Sequence, residues 1–197
     1  MEKLNVGTVI ISKQGEDSVN YQKFKEIIKI KRIPVLIVGE DDLDRPQKIH
    51  IEKDLHFDIL WPNNSKLVNE NILNNNSIVC KLYYKDFSML FTGDIEEIAE
   101  KQILEEYKGS LNILNSTILK VAHHGSKTSS IQEFIKAVKP KIALIGVGEN
   151  NKFGHPNNEI LERLNIYGVK IYRTDKMGEI SITISNKGKI KVGKIIN

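Results

Sequence analysis

The chain has 197 residues but a single cysteine, Cys80, which excludes an internal disulfide and a cysteine-built zinc cage. Cys80 sits in a strand-like run, where a small buried hydrophobe is the better reading. Long apolar runs are missing too. The longest, Ile33–Val38 and Ala143–Val147, fall far short of the ~20 residues a membrane helix needs. The opening residues, Met1-Glu-Lys-Leu-Asn-Val, contain no apolar core of a secretory signal. The expectation is therefore a chain without a membrane segment and, as written, cytoplasmic. No block of five like charges occurs, although the formal net charge is +4. Lysines spread along the whole length read as solvated faces, and a charge of this size tolerates a nucleic-acid partner without demanding one. Alanine is scarce, 4 residues against 30 Ile, 25 Lys and 18 Asn. That bias fits an AT-rich genome, so lysine richness need not report function.

Strands and helices alternate along the chain. Val6–Ser12 reads as a strand, followed by a helix near Tyr21–Lys31 with Phe24, Ile27 and Ile28 on one face. Pro34 ends that helix, and Val35–Val38 follows as a short buried strand. Lys48–Leu60 alternates in places, as half-buried antiparallel strands do. Asn63–Asn76 reads as a loop with one turn of helix. Ser77–Tyr84 and Phe87–Phe91 form a strand pair turning at Lys85-Asp86. Further on, helices are expected at Ile95–Tyr107, Ile131–Val138 and Asn158–Leu164. Strands are expected at Thr117–Ala122, Lys141–Val147 and Val169–Tyr172. A hairpin, Gly178–Ser185 with Lys189–Val192, closes the chain through a turn at Asn186-Lys187-Gly188. The class is mixed α/β with much antiparallel sheet, in a single domain over residues 1–197.

Four short stretches stand at strand ends, where sites gather in α/β sheets. Asp94, in Phe91-Thr-Gly-Asp94, has the chemistry of a metal-bridging carboxylate. Followed by Glu97, it equally fits a helix N-cap with a glutamate at the third position. His123 and His124, in Leu119-Lys-Val-Ala-His-His-Gly-Ser126, are candidate metal ligands. Neighbours on a strand end point to opposite sides, so only one of them is expected to face a given ion. Ser126 or Ser129 is positioned to cap the following helix; the plain alternative is an exposed polar loop. His155, before Pro156 and a helix, could orient a phosphate or donate a proton, or simply lie on the surface. Tyr172-Arg-Thr-Asp175 reads as a strand end and a turn. His50 and His56 fall inside strands, where packing or exposure accounts for them.

Taken in order and spacing, Thr92-Gly-Asp94, Val121-Ala-His-His-Gly-Ser126, Gly154-His-Pro156 and Tyr172-Arg-Thr-Asp-Lys-Met-Gly178 resemble the metallo-β-lactamase fold. The nearest likeness is to the hydrolase domain of ComEC-type competence (DNA-internalisation) proteins. Asn74-Asn-Asn-Ser77 fits the Asn-x-x-Ser stretch of that family. The resemblance implies an αβ/βα sandwich with mixed sheets and two metal ions, zinc or manganese, between them. It also implies a phosphodiester substrate, DNA in the ComEC branch. By position, Asp94 matches the bridging carboxylate, His124 the late histidine ligand with His123 as its alternative, and His155 a substrate-side histidine.

The family signature His-x-His-x-Asp-His, expected early, is absent, and the first histidine is His50. The expectation is thus a partial, N-terminally incomplete sandwich, beginning just beyond that signature. Such a chain would bind metal weakly or not at all, and would be inactive without a segment or partner chain supplying the missing third. The alternative is a DNA- or protein-binding module that kept the fold and lost the chemistry. In membrane-bound relatives the domain lies outside the membrane, which competes with the cytoplasmic reading.

Overall fold

The computed structural model describes residues 4–195 except residues 14, 16, 40–45, 63–66 and 187. The chain opens with a βαβ unit. Strand β1 (Val9–Ser12) pairs in parallel with β2 (Val35–Val38), and helix α1 (Val19–Lys31) makes the crossover. Ser18 caps α1 by accepting the Tyr21 N–H at 3.2 Å. At the other end Arg32 turns left-handed (φ 51°) and Pro34 forbids continuation. The expected apolar face of Phe24, Ile27 and Ile28 is only half-buried, and no residue of α1 is fully buried.

The main body is a seven-stranded sheet in simple sequence order. Strands β3 (Gln47–Glu52), β4 (Leu55–Trp61), β5 (Val79–Tyr84) and β6 (Phe87–Phe91) run antiparallel. Between β4 and β5 lies α2 (Ile72–Asn75), the single helical turn expected there. Residues 63–66 of the expected Asn-rich loop lie outside the described residues, as does Lys187 of the last hairpin turn.

From β6 onward the sheet turns parallel. Helix α3 (Glu97–Glu106) leads to β7 (Ile118–Lys120), α4 (Gln132–Val138) to β8 (Ile142–Ile145), and α5 (Asn158–Ile166) to β9 (Lys170–Arg173). Register pairs Phe91 with Lys120, Lys120 with Leu144, and Ile145 with Arg173. The carboxyl ends of the four strands therefore lie side by side. A short helix α6 (Thr174–Met177) and the hairpin β10 (Glu179–Ile184)/β11 (Ile190–Ile195) complete the chain. The α/β class with mixed sheets expected from the sequence is the class adopted.

The core lies between the sheet and helices α3–α5. Leu90, Leu119, Val121, Ala143 and Ile145 of the sheet strands and their ends meet Ile95, Ile103, Phe134, Ile160 and Leu164. Trp61, wholly buried, satisfies its indole N–H on the Asn75 carbonyl at 2.7 Å.

Three local expectations are corrected. The first residue of α3 is Glu97, and its N-cap is Glu96, so Asp94 is free of any capping role. Neither Ser126 nor Ser129 caps α4. The Ser129 hydroxyl bonds back to the Ala122 and Ser126 carbonyls, while the buried Glu100 of α3 accepts the Ser130 and Ile131 N–H groups at 2.6 and 2.8 Å. A capping group supplied from another helix leaves no local sequence signature. Finally, Thr174–Met177 is a turn of helix rather than a plain turn. There Thr174 clasps Val147, accepting its N–H and donating to its carbonyl at 2.7 Å each.

Candidate metal centre

Parallel register sets the site. The segments leaving β6, β7 and β8 emerge on one rim, and each carries a residue the sequence singled out.

Asp94 follows β6. The Thr92 hydroxyl ties this segment to β7 by donating to the Lys120 carbonyl at 2.6 Å. Gly93 is required: its φ is +53°, and a Cβ there would lie 2.5 Å from Ser77 Cβ. Ser77 Oγ accepts the Asp94 N–H at 3.2 Å. Asn75 and Asn76, both wholly buried, build the scaffold behind this loop. Asn76 holds both backbone groups of Val68, and Asn75 Oδ1 accepts the Glu96 N–H. The Asn-rich motif thus supports the Asp94 loop from beneath, a role that composition does not announce.

His123 and His124 follow β7, and the strand rule that separates neighbours does not apply to them. They sit in a 3-10 turn, Ala122–Gly125, with left-handed backbone at both (φ 46° and 56°). Two successive non-glycine residues in that region are uncommon and cost of order 1–3 kcal/mol each. The rings end 6.5 Å apart, edge to face. His124 Nδ1 lies 2.6 Å from the Gly146 carbonyl at the end of β8, which makes that nitrogen the N–H donor and leaves Nε2 as the lone-pair site. Nε2 in turn lies 3.8 Å from Asp94 Oδ1.

His155 comes from the loop after β8. Asn151 clamps this loop, accepting the His155 N–H at 2.9 Å and donating to the His155 carbonyl at 2.8 Å. Its imidazole stands 5.7 Å from that of His123 and stacks at 5.8 Å on the exposed ring of Phe153. Partial burial, and then the neighbouring His123 and His124, push the His155 pKa below its ordinary value. Lys120, half-buried below the rim, is also pushed down by desolvation, with Asp94 opposing the shift.

The structure therefore brings Asp94, His124, His123 and His155 onto one rim. His50 and His56 pair across β3 and β4 instead, with rings 5.7 Å apart, and His56 stacks on Tyr83. Arg173 and Asp175 close on each other in a two-point ion pair, which holds the Asp175 carboxyl below its usual range. The residue the sequence reading missed is Glu96, whose Oε1 lies 3.4 Å from His123 Nδ1. Its only sequence signal is proximity to Asp94.

As a metal site the rim is a partial fit. Asp94 and His124 offer an oxygen and a nitrogen that face each other, and the Gly146 carbonyl behind His124 is the outer partner a ligating imidazole uses. Among the described residues, however, no group of three or more His, Cys, Asp or Glu side chains could hold an ion. Even open zinc sites draw three ligands from protein.

Comparison with known proteins follows the same line. The family model of the metallo-β-lactamase superfamily matches residues 18–149, which include Asp94, His123 and His124 and stop short of His155. ComE operon protein 3 of Bacillus subtilis is 33% identical over 150 residues, 76% of this chain and 18% of that protein. Competence protein ComA of Neisseria gonorrhoeae is 31% identical over 132 residues, 67% of this chain and 18% of its own length. Recombination protein 2 of Haemophilus influenzae is 34% identical over 128 residues, 65% of this chain and 15% of that protein. The chain thus spans under a fifth of the length of these relatives. No helix among the described residues is long and apolar enough to cross a membrane. With its mixed sheet, its rim of strand-end loops and these matches, the chain belongs to the metallo-β-lactamase superfamily, and its relatives there are ComEC-type competence proteins.

Proposed function

We propose that this chain carries the later share of a metal-dependent phosphodiesterase site acting on DNA, and that it is inactive without polypeptide supplying the remaining ligands. The observation that carries the reading is the Asp94–His124 pair at 3.8 Å, with His124 locked by the Gly146 carbonyl. Asp94 and His124 would hold a divalent cation, zinc or manganese. The cation would supply Lewis acidity toward a phosphoryl oxygen. Gly146 fixes the His124 tautomer, so that Nε2 is the free donor atom. His155 sits beside the pair on a clamped loop, and its depressed pKa keeps a neutral imidazole available to take up or pass on a proton at the scissile phosphate. On this reading the chain is one part of a larger unit, in which an early His-x-His-x-Asp-His segment, in the same polypeptide or a partner chain, would complete the ligand set.

The test compares the 197-residue chain with the same chain joined to the first third of a relative's domain. We expect weak metal binding and background DNA cleavage from the first, and stoichiometric metal with chelator-sensitive cleavage from the second. In the completed domain Asp94→Ala and His124→Ala should each abolish turnover, while His155→Ala should slow it with metal retained. Tight metal and robust cleavage by the 197-residue chain alone would overturn the reading.

A second reading is a DNA- or protein-binding module without chemistry. The absence of a three-ligand cluster among the described residues favours it. Cleavage restored by the added segment would rule it out.

A further inference from the structure

His123 is the imidazole on the rim that the Asp94–His124 pair does not use. Its side chain is 22% exposed, yet its Nδ1 is buried and makes no hydrogen bond of good geometry. That nitrogen faces Glu96 Oε1 at 3.4 Å. The carboxylate is itself tightly gripped. Oε1 accepts from the Thr128 hydroxyl at 2.9 Å, and Oε2 accepts from Asn71 and Asn75 side-chain amides at 3.0 and 3.3 Å. The Glu96 backbone N–H is held by Asn75 as well. Four hydrogen bonds thus converge on a residue at the N-cap of α3 that makes no side-chain cap bond there. Glu96 is positioned by its surroundings to face His123.

A carboxylate only accepts hydrogen bonds. With a bare nitrogen at His123 Nδ1, two lone pairs would confront each other in a buried place, at a cost of order 1–3 kcal/mol. With a proton there, the pair needs only a small closure to form a charge-assisted bond. We propose that Glu96 is a positioning residue that holds His123 in its Nδ1–H tautomer and leaves Nε2 as the free acceptor. His123 is then oriented by a carboxylate as His124 is oriented by a carbonyl, and both neighbours present Nε2. The left-handed turn that carries them is what permits this shared presentation. The inference deepens the reading of the previous subsection and rests on it for its functional meaning, while its structural content concerns this chain alone.

The experiment is long-range 1H–15N correlation of the imidazoles in the labelled 197-residue chain, above the pH range where free histidine titrates. We expect wild-type His123 and His124 both as Nδ1–H. Glu96→Gln must keep its amide oxygen where Asn71 and Asn75 donate, so its NH2 turns toward His123. His123 should then switch to Nε2–H, with His124 unchanged as the internal check on folding. Thr128→Val, which keeps the carboxylate, should leave both as in the wild type. Wild-type His123 in the Nε2–H form, or no switch in Glu96→Gln while His124 is intact, would overturn the assignment. Should Glu96→Gln not fold, the wild-type tautomer decides alone. No metal enters this readout. Paramagnetic broadening at Asp94 and His124 on adding Mn2+ tests the metal reading separately, so the two can fail independently.

Discussion

Gly125 lies directly against Pro156: a Cβ added at Gly125 would sit 2.6 Å from Pro156 Cβ and 3.2 Å from its Cα. The Asn157 N–H also bonds the Gly125 carbonyl at 2.9 Å. Through this one contact the loop bearing His155 is seated on the turn bearing His123 and His124.

Gly125→Ala should therefore push the two loops apart. The left-handed backbone at Gly125 (φ +81°) adds to the clash. We expect a loss of about 2–5 kcal/mol, a conformational penalty of about 1–2 kcal/mol plus overpacking of about 1–3. Gly154→Ala is the control. Its φ is +68°, but nothing lies within 4 Å of the added carbon, so only the conformational part should be lost. Urea unfolding of both variants checks the difference; equal losses would show that the Gly125–Pro156 contact yields freely.

Glu100 makes a prediction about pH. Burial pushes its carboxyl up to about 7 despite the bonds from Ser130 and Ile131 and the nearby Arg163. Between its ordinary pKa of 4.5 and about 7 the folded chain holds a proton that the unfolded chain has released. Stability from this group is thus full below pH 4.5 and is lost as pH rises through about 7. The stability gap between wild type and Glu100→Gln should fall across that window. Glu100→Ala, which strips the Ser130 and Ile131 amides just before α4 of their acceptor, should cost more than Glu100→Gln at every pH, by a difference of about 1–3 kcal/mol. Denaturation midpoints at a series of pH values provide the test, and a flat difference would refute the titration.

Asn76 tests the scaffold under the Asp94 loop. Its side chain accepts the Val68 N–H at 2.9 Å and donates to the Val68 and Ile72 carbonyls at 2.8 Å each. Asn76→Ala leaves these buried groups unpaired, and we expect a loss of about 2–4 kcal/mol with a drop of several degrees or more in melting temperature. Calorimetry showing less than about 0.5 kcal/mol, the scale of an ordinary surface change, would mean water replaces the side chain fully.

The βαβ unit at the start of the chain should be adhesive. Val19 and Ile30 of α1 are 84% and 71% exposed, no α1 residue is buried, and β1 pairs among the described residues only with β2. Exposed apolar faces and an open strand edge favour association. We expect binding of a hydrophobic dye and concentration-dependent sedimentation, both reduced in a Val19→Lys, Ile30→Glu double variant. A dye-silent monomer with a sharp reversible melt would count against this.

Most element types were legible in the sequence, α6 excepted, because hydrophobic periodicity, Pro34 and the polar turns are local signals that act over a few residues. The sequence also singled out the Asp94, His123-His124 and His155 loops as candidates, since each follows an apolar strand-like run. Alternation in Lys48–Leu60 was enough to predict β3 and β4, and the histidines inside them were expected within strands. Tertiary structure alone decided how the site residues relate. Asp94 meets His124 because parallel pairing aligns the ends of β6 and β7. His124 is locked by Gly146, 22 residues away, through β8. The handedness at His123 and His124 overrides the strand rule, because the turn is held from outside by the Gly93 carbonyl and by packing on Pro156. Glu96 and Glu100 acquired their partners the same way, from segments some 30 residues distant. No local pattern encodes such a meeting; it exists only once the core between the sheet and α3–α5 has closed.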